Sequence, residues 1–170
     1  RQSVCIKRGV VMVYPNGTVL AVNISEKRGE KKHDIGEAYL QEGLGITTDA
    51  HRGEWHRQVS LLSLSSVEKM RQLGIDIQYG DFAENLTVSD LEVYTLPVGT
   101  RLKIGEALAE VTQIGKACHN QGCAIKKQAG HEDEEGLQGN RNRTCRDPNE
   151  AGQESQDGHK GRPGKPSRFH

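Results

Sequence analysis

The sequence has no apolar run approaching the roughly 18 residues that a bilayer-spanning helix needs, which argues against a membrane protein. It has no charge excess of either sign, because 23 basic residues balance 23 acidic ones. No global field therefore draws it to nucleic acid or to an anionic membrane. The opening stretch RQSVCIKRGVVMVYP carries basic residues but only a four-residue apolar run, too short for a signal-peptide core. Cysteine is sparse, with four in 170 residues, whereas a secreted disulfide scaffold is shorter and denser in cysteine. Reduced thiols and a cytoplasmic setting are the expectation. Hydrophobic residues make up only 34% of the chain, against about 45–50% for globular domains on a count that includes glycine.

That last shortage is local. From His131 onward the apolar set is reduced to Leu137, Cys145, Ala151 and Phe169. Such a segment cannot bury enough surface to offset about 1–2 kcal/mol of backbone ordering entropy per residue, so residues 131–170 are expected to be disordered. The apolar residues concentrate between Val10 and Ile125, in short runs. VVMVYPNGTVLAVNI reads as two strands split by Pro15-Asn16-Gly17. VSLLSLSSVEKMRQLG begins as a strand at residues 59–62 and changes to a helical period, with Ser63 or Ser65 as cap and Gly74 as stop. LEVYTLPVGTRLKIGEALAEVTQIG alternates apolar and polar residues and is broken by Pro97, Gly99 and Gly105. Short strands with regular turns argue for a small antiparallel barrel or sandwich rather than a βαβ sheet.

Three stretches carry residues capable of chemistry. Residues 48–63, TDAHRGEWHRQVSLLS, place His51, Trp55, His56 and Arg57 in a glycine-containing loop that feeds a strand, where binding groups usually sit. A plain alternative is a polar loop whose Trp55 covers the mouth of the core. In GDFAENLTV, Asp81, Glu84 and Asn85 cluster beside Gly80, with Phe82 as an apolar anchor; the alternative is a turn in which Asp81 and Asn85 bond the nearby backbone. Its Asn85-Leu86-Thr87 matches a glycosylation acceptor, which carries little meaning without a secretory signal.

The third stretch is GKACHNQGCAI. Its Cys118 and Cys123 are spaced Cys-x4-Cys, and no second pair of ligands completes a structural zinc site, since Cys145 lies in the tail and Cys5 far upstream. A structural disulfide across so short a loop does not suit a reducing compartment. A reactive thiol fits better, because Lys116 and His119 near Cys118 favour the thiolate.

Together these stretches resemble the MOSC domain, the C-terminal domain of molybdenum cofactor sulfurases, in its small stand-alone bacterial form. The residues carrying the likeness are GTVLAVNISEKRGEKK, GLGITTDAHRGEWHRQVSLLS, GDFAENLTVSDLEVYTLPVGTRLKIGEALAEVTQIGKACH and GCAIKKQAG, in order over residues 17–130. The resemblance implies a mainly β fold, a small antiparallel β-barrel of the pyruvate-kinase-barrel type with one or two short helices and its loops gathered round one pocket. It places the family's cysteine at Cys118, as a carrier of persulfide sulfur or as a ligand of molybdenum in the pterin cofactor. Arg57 becomes the clamp for an anionic pterin phosphate, suited by its planar fork. Asn85 and Glu84 stand in the pocket wall to hydrogen-bond the ligand. His51, His56 and His119 handle protons or contact anions, and Cys123 resolves an oxidised or persulfidated Cys118.

Pyridoxal phosphate, associated with the desulfurase domain of full-length sulfurases, is not expected here, because 170 residues leave no room for that domain and no lysine stands out as a Schiff-base candidate. A molybdenum-dependent reductase or sulfur-transferase activity, a molybdoenzyme or cofactor-biosynthesis partner, and a non-catalytic sulfur-relay adaptor all remain open. Residues 1–16 read as an N-terminal extension, with Met12 as the expected natural start. After Gly130 the family's closing strands are missing from the text, which has the look of a reading-frame change. An open barrel with unpaired edges and a compromised fold is the corresponding expectation.

Overall fold

The computed structural model describes residues 3–115 and the strand at 143–146. Eleven strands and one α-helix follow in the order β1 (Ser3–Lys7), β2 (Val11–Tyr14), β3 (Asn16–Ile24), β4 (His33–Asp34), β5 (Glu37–Gln41), β6 (Gly45–Ile46), β7 (Val59–Ser63), α1 (Leu64–Gln72), β8 (Leu86–Ser89), β9 (Arg101–Ile104), β10 (Ala107–Ile114) and β11 (Arg143–Arg146). A single 3-10 turn, Val93–Thr95, lies between β8 and β9. Among the described residues no helix is long and apolar enough to cross a membrane.

The main sheet runs β2-β9-β10-β11-β7-β8-β3-β4, and β2 also pairs with β3. Seven strands therefore close into a ring, with β4 attached outside it through Asn23↔Asp34 and Ile24↔His33. The mainly β, barrel-like fold with one short helix matches the expectation. A separate three-stranded sheet, β1-β5-β6, lies beside the ring. The β2–β3 hairpin forms around Pro15 as expected, with Met12 opposite Gly17, and β9–β10 turns at Gly105-Glu106.

Two features depart from the sequence reading. The β7–β8 pair is parallel, with Leu61 opposite Leu86 and Ser63 opposite Val88. A parallel pair needs a crossover rather than a tight turn, and residues 64–85 with α1 provide it, so one βαβ-like unit is built into the ring. The second is β11, which falls inside the segment whose composition suggests disorder. It stands between β10 and β7, with Val111 opposite Cys145 and Cys145 opposite Val59. Pairing on both sides is made by backbone groups, which apolar content does not encode. β11 thus bridges β10 and β7 in the sheet. Cys118, His119 and Cys123 lie outside the described residues, as does the rest of the tail.

Strand alternation divides the core in two. Leu61 faces the barrel interior with Met12, Val19, Leu86, Val88, Leu102, Ile104 and Val111. Its neighbour Leu62 points the other way, to Val67, Met70, Ile75 and Ile77 beneath α1, the period-2 geometry of a strand covered on both faces. Phe82 packs on this second cluster as the expected anchor. Ser63 takes the N-cap position of α1 but makes no side-chain capping bond. Its hydroxyl instead accepts the Val93 amide at 2.7 Å.

Candidate functional site

The parallel β7–β8 pair decides where the polar residues meet. Because both strands start at the same end of the ring, the residues just before them, Arg57 and Gln58 on one side and Glu84 and Asn85 on the other, share that end. Antiparallel β3 delivers its C-terminal residues there, and the Asn23 amide donates to the Asn85 carbonyl at 2.6 Å. An antiparallel β7–β8 pair would have put Arg57 and Asn85 at opposite ends.

Asn85 ties the three strands together. Its Oδ1 accepts the Ser60 amide and hydroxyl, each at 3.1 Å, and its Nδ2 donates to the Asn23 carbonyl at 3.1 Å. With its side chain so used and almost fully buried, Asn85 holds β3, β7 and β8 together at this end. Glu84 is 0% exposed. Its Oε1 accepts the Gly80 amide at 2.7 Å and the Thr87 hydroxyl at 2.9 Å, while Oε2 has no partner among the described residues. Burial raises the Glu84 pKa, and the hydrogen bonds to Oε1 only partly oppose it. The shift favours the protonated form relative to an exposed glutamate.

Beside this network is a buried ion pair that the sequence reading missed. Lys32 Nζ lies 2.7 Å from Asp49 Oδ1, and both side chains are buried. Asp49 Oδ1 also accepts the Ser25 amide at 3.0 Å, and Oδ2 accepts the His51 amide at 3.3 Å. Burial raises the Asp49 pKa, but the Lys32 hydrogen bond and charge and the Ser25 amide outweigh it and hold the carboxyl below its usual value. Lys32 reaches Asp49 because its backbone rests on Gly80: a Cβ at Gly80, whose φ is +96°, would stand 2.5 Å from the Lys32 carbonyl oxygen. In the sequence Lys32 ends a charge run, EKRGEKK, that reads as solvated. Only a close backbone approach distinguishes it.

The loop of residues 48–58 forms the rim. His51 is partly exposed, with Nδ1 3.5 Å from Ser25 Oγ and 3.8 Å from Asp49 Oδ2. Trp55 does not cover the core. It is 42% exposed, donates from Nε1 to the His51 carbonyl at 3.3 Å, and has the Arg57 guanidinium 5.6 Å from its ring centroid. Arg57 is half-buried, and its buried Nε has no acceptor among the described residues. His56 is exposed and pairs Nε2 with Gln113 Oε1 at 3.2 Å, while Thr112 Oγ1 donates to the His56 carbonyl. Gln113 Nε2 donates to the Gly115 carbonyl at 3.0 Å, so the end of β10 is fastened to this loop three residues before Cys118. The structure thus brings Arg57, His51, His56, Glu84 and Asn85 to one end of the ring. Among the described residues no group of three or more His, Cys, Asp or Glu side chains is placed to hold a metal ion.

These features define a closed, mixed β-barrel domain whose polar end is ringed by Arg57 and two histidines. The MOSC domain profile matches residues 48–164, well over half of the chain, and the chain belongs to the MOSC domain family. The match begins later than Gly17 and continues past Gly130, where the motif likeness breaks off. Neither characterised proteins nor solved structures give a significant match.

Proposed function

We propose that this domain handles the molybdenum cofactor or its sulfur, with Cys118 as the working thiolate. The carrying observation is the buried Nε of Arg57, which has no acceptor among the described residues, in a loop whose His56 bonds Gln113 on the strand that precedes Cys118 in the sequence. A guanidinium held against Trp55 with a donor lacking an acceptor suits an anionic phosphate, which it can bind with two parallel N–H donors. That donor supports a phosphate-holding role for Arg57. Arg57 would hold that phosphate, Asn85 and Glu84 would keep the wall rigid, and His51, His56 and His119 would offer proton-exchanging nitrogens at the rim.

When bound, the cofactor would supply molybdenum redox or sulfur-transfer chemistry, with a thiolate as its soft protein ligand. The residues of this chain bind, orient and exclude water. Cys118 would bind molybdenum as thiolate or carry sulfur as persulfide; in the persulfide case a Cys123 thiolate would attack the Cys118 sulfur, forming the Cys118–Cys123 disulfide as the outer sulfur leaves as hydrosulfide. A cytoplasmic setting and a molybdoenzyme or cofactor-maturation partner go with this chemistry, whereas nucleic acid and pyridoxal phosphate do not.

The test is elemental analysis and intact-mass measurement on the full chain, produced with the pterin cofactor available. Wild type should retain molybdenum, or carry a one-sulfur adduct on Cys118, and Cys118→Ser should lose both. Equal metal content and no adduct in the two proteins would overturn the proposal.

A further inference from the structure

We infer that Lys32 and Asp49 form a buried positioning pair that holds His51 in the Nδ1–H tautomer and leaves Nε2 as its basic nitrogen. Three observations lead there. Asp49 Oδ2 lies 3.8 Å from His51 Nδ1 and accepts the His51 backbone amide, so one carboxylate oxygen faces both the start and the ring of this residue. A carboxylate can only accept hydrogen bonds, and its negative charge favours a hydrogen on the nitrogen turned towards it. Ser25 Oγ, 3.5 Å from Nδ1, accepts as readily as it donates, so it does not oppose the choice that the carboxylate favours.

Asp49 can play this part only while it is ionised, and burial opposes that. Lys32 supplies the missing charge from 2.7 Å, on the oxygen opposite the one facing His51. The carboxylate is thus divided: Oδ1 is taken by Lys32 and the Ser25 amide, Oδ2 faces the His51 amide and ring, and the Asn85 side chain adds a further hydrogen bond. The ring is steadied from its own backbone as well, since Trp55 donates to the His51 carbonyl and Arg28 Nε donates to the neighbouring Ala50 carbonyl at 3.4 Å. A buried carboxylate that orients an imidazole and selects its tautomer is a recurring device where the other ring nitrogen has work to do. That Nε2 exchanges protons with a bound ligand rests on the function proposed above; the tautomer itself does not.

The experiment is long-range 1H–15N correlation of the histidine rings in the full 15N-labelled chain without cofactor, at a pH where the imidazole is neutral. His51 of the wild type should show Nδ1 protonated and Nε2 unprotonated. Asp49→Asn should move the proton to Nε2, because the amide that replaces Oδ2 can donate towards Nδ1. Lys32→Met should weaken the preference by letting Asp49 protonate, and Lys32→Arg should restore it. A wild-type His51 in the Nε2–H form overturns the inference whatever the variants do, as does an unchanged tautomer in an Asp49→Asn protein that still unfolds cooperatively. Since no cofactor is present, the result is independent of molybdenum retention.

Discussion

Lys32 and Asp49 form a salt bridge of 2.7 Å whose side chains are only 3% and 1% exposed. A pair this deep repays its desolvation only while both partners are present, and removal of one leaves an uncompensated charge. Lys32→Met and Asp49→Ala should each destabilise the domain by about 3–5 kcal/mol. The double variant should cost much less than the sum. A double-mutant cycle from urea unfolding checks this, and additive single effects would show that the pair is not coupled.

The pH dependence of the same pair has a definite sign. The Asp49 pKa is lowered in the folded state from 3.8, so its stabilisation is present above the ordinary carboxylate range and is lost as pH falls through the folded value. Asp49→Asn should therefore flatten the acid limb of stability, as measured by unfolding between pH 7 and acid pH.

Glu84 works in the opposite direction. Its pKa is raised by burial from 4.5, so the folded protein holds a proton that the unfolded chain releases. Stability then falls as pH rises above the ordinary value, until the raised folded pKa is passed. Glu84→Gln keeps an acceptor for the Gly80 amide and carries no charge, so it should match or exceed wild type at neutral pH and lose this slope. Glu84→Ala leaves the Gly80 amide unsatisfied, at a cost of about 1–3 kcal/mol.

Gly80→Ala tests the seat of the lysine. The substitution combines a left-handed φ of +96° with a contact of 2.5 Å to the Lys32 carbonyl oxygen. A loss of more than about 1 kcal/mol is expected, together with increased amide exchange around Lys32. An undisturbed exchange pattern would separate the two residues.

Arg57→Lys should cost little stability, because Nε has no acceptor to lose among the described residues, and Arg57→Ala should cost about 0.5–1 kcal/mol through loss of the Trp55 contact. If Arg57 holds the phosphate, charge-assisted bonds worth about 1.5–3 kcal/mol disappear, and cofactor retention weakens about ten- to hundredfold. Lysine should rescue little, since it lacks the bidentate fork. Equilibrium binding measured on variants with wild-type unfolding midpoints checks it.

Much of the barrel is legible residue by residue. Pro15-Asn16-Gly17 marks the β2–β3 hairpin, Gly105 marks the β9–β10 turn, and the change of period after Val59 marks a strand running into a helix. Arg57, His51, His56, Glu84 and Asn85 are recognisable from motif context, and the structure places them at one end. Lys32 and Asp49 are not recognisable, because a lysine in a charge run and an aspartate in a polar loop look solvated. Their burial depends on Gly80 admitting the backbone of residue 32, a contact that is distant in sequence. Strand β11 is hidden for a related reason: backbone pairing on both sides leaves no mark in apolar composition.

Local pattern by itself therefore determined β2, β3, β7, β9 and β10, the helix and the family motifs, because alternation and turn chemistry act within a few residues of one another. The tertiary structure alone decided that β7 and β8 run parallel, that β11 fills the ring, and that Lys32 faces Asp49. Those outcomes come from close packing and from satisfying buried polar groups, which bring together residues that no short stretch of sequence relates.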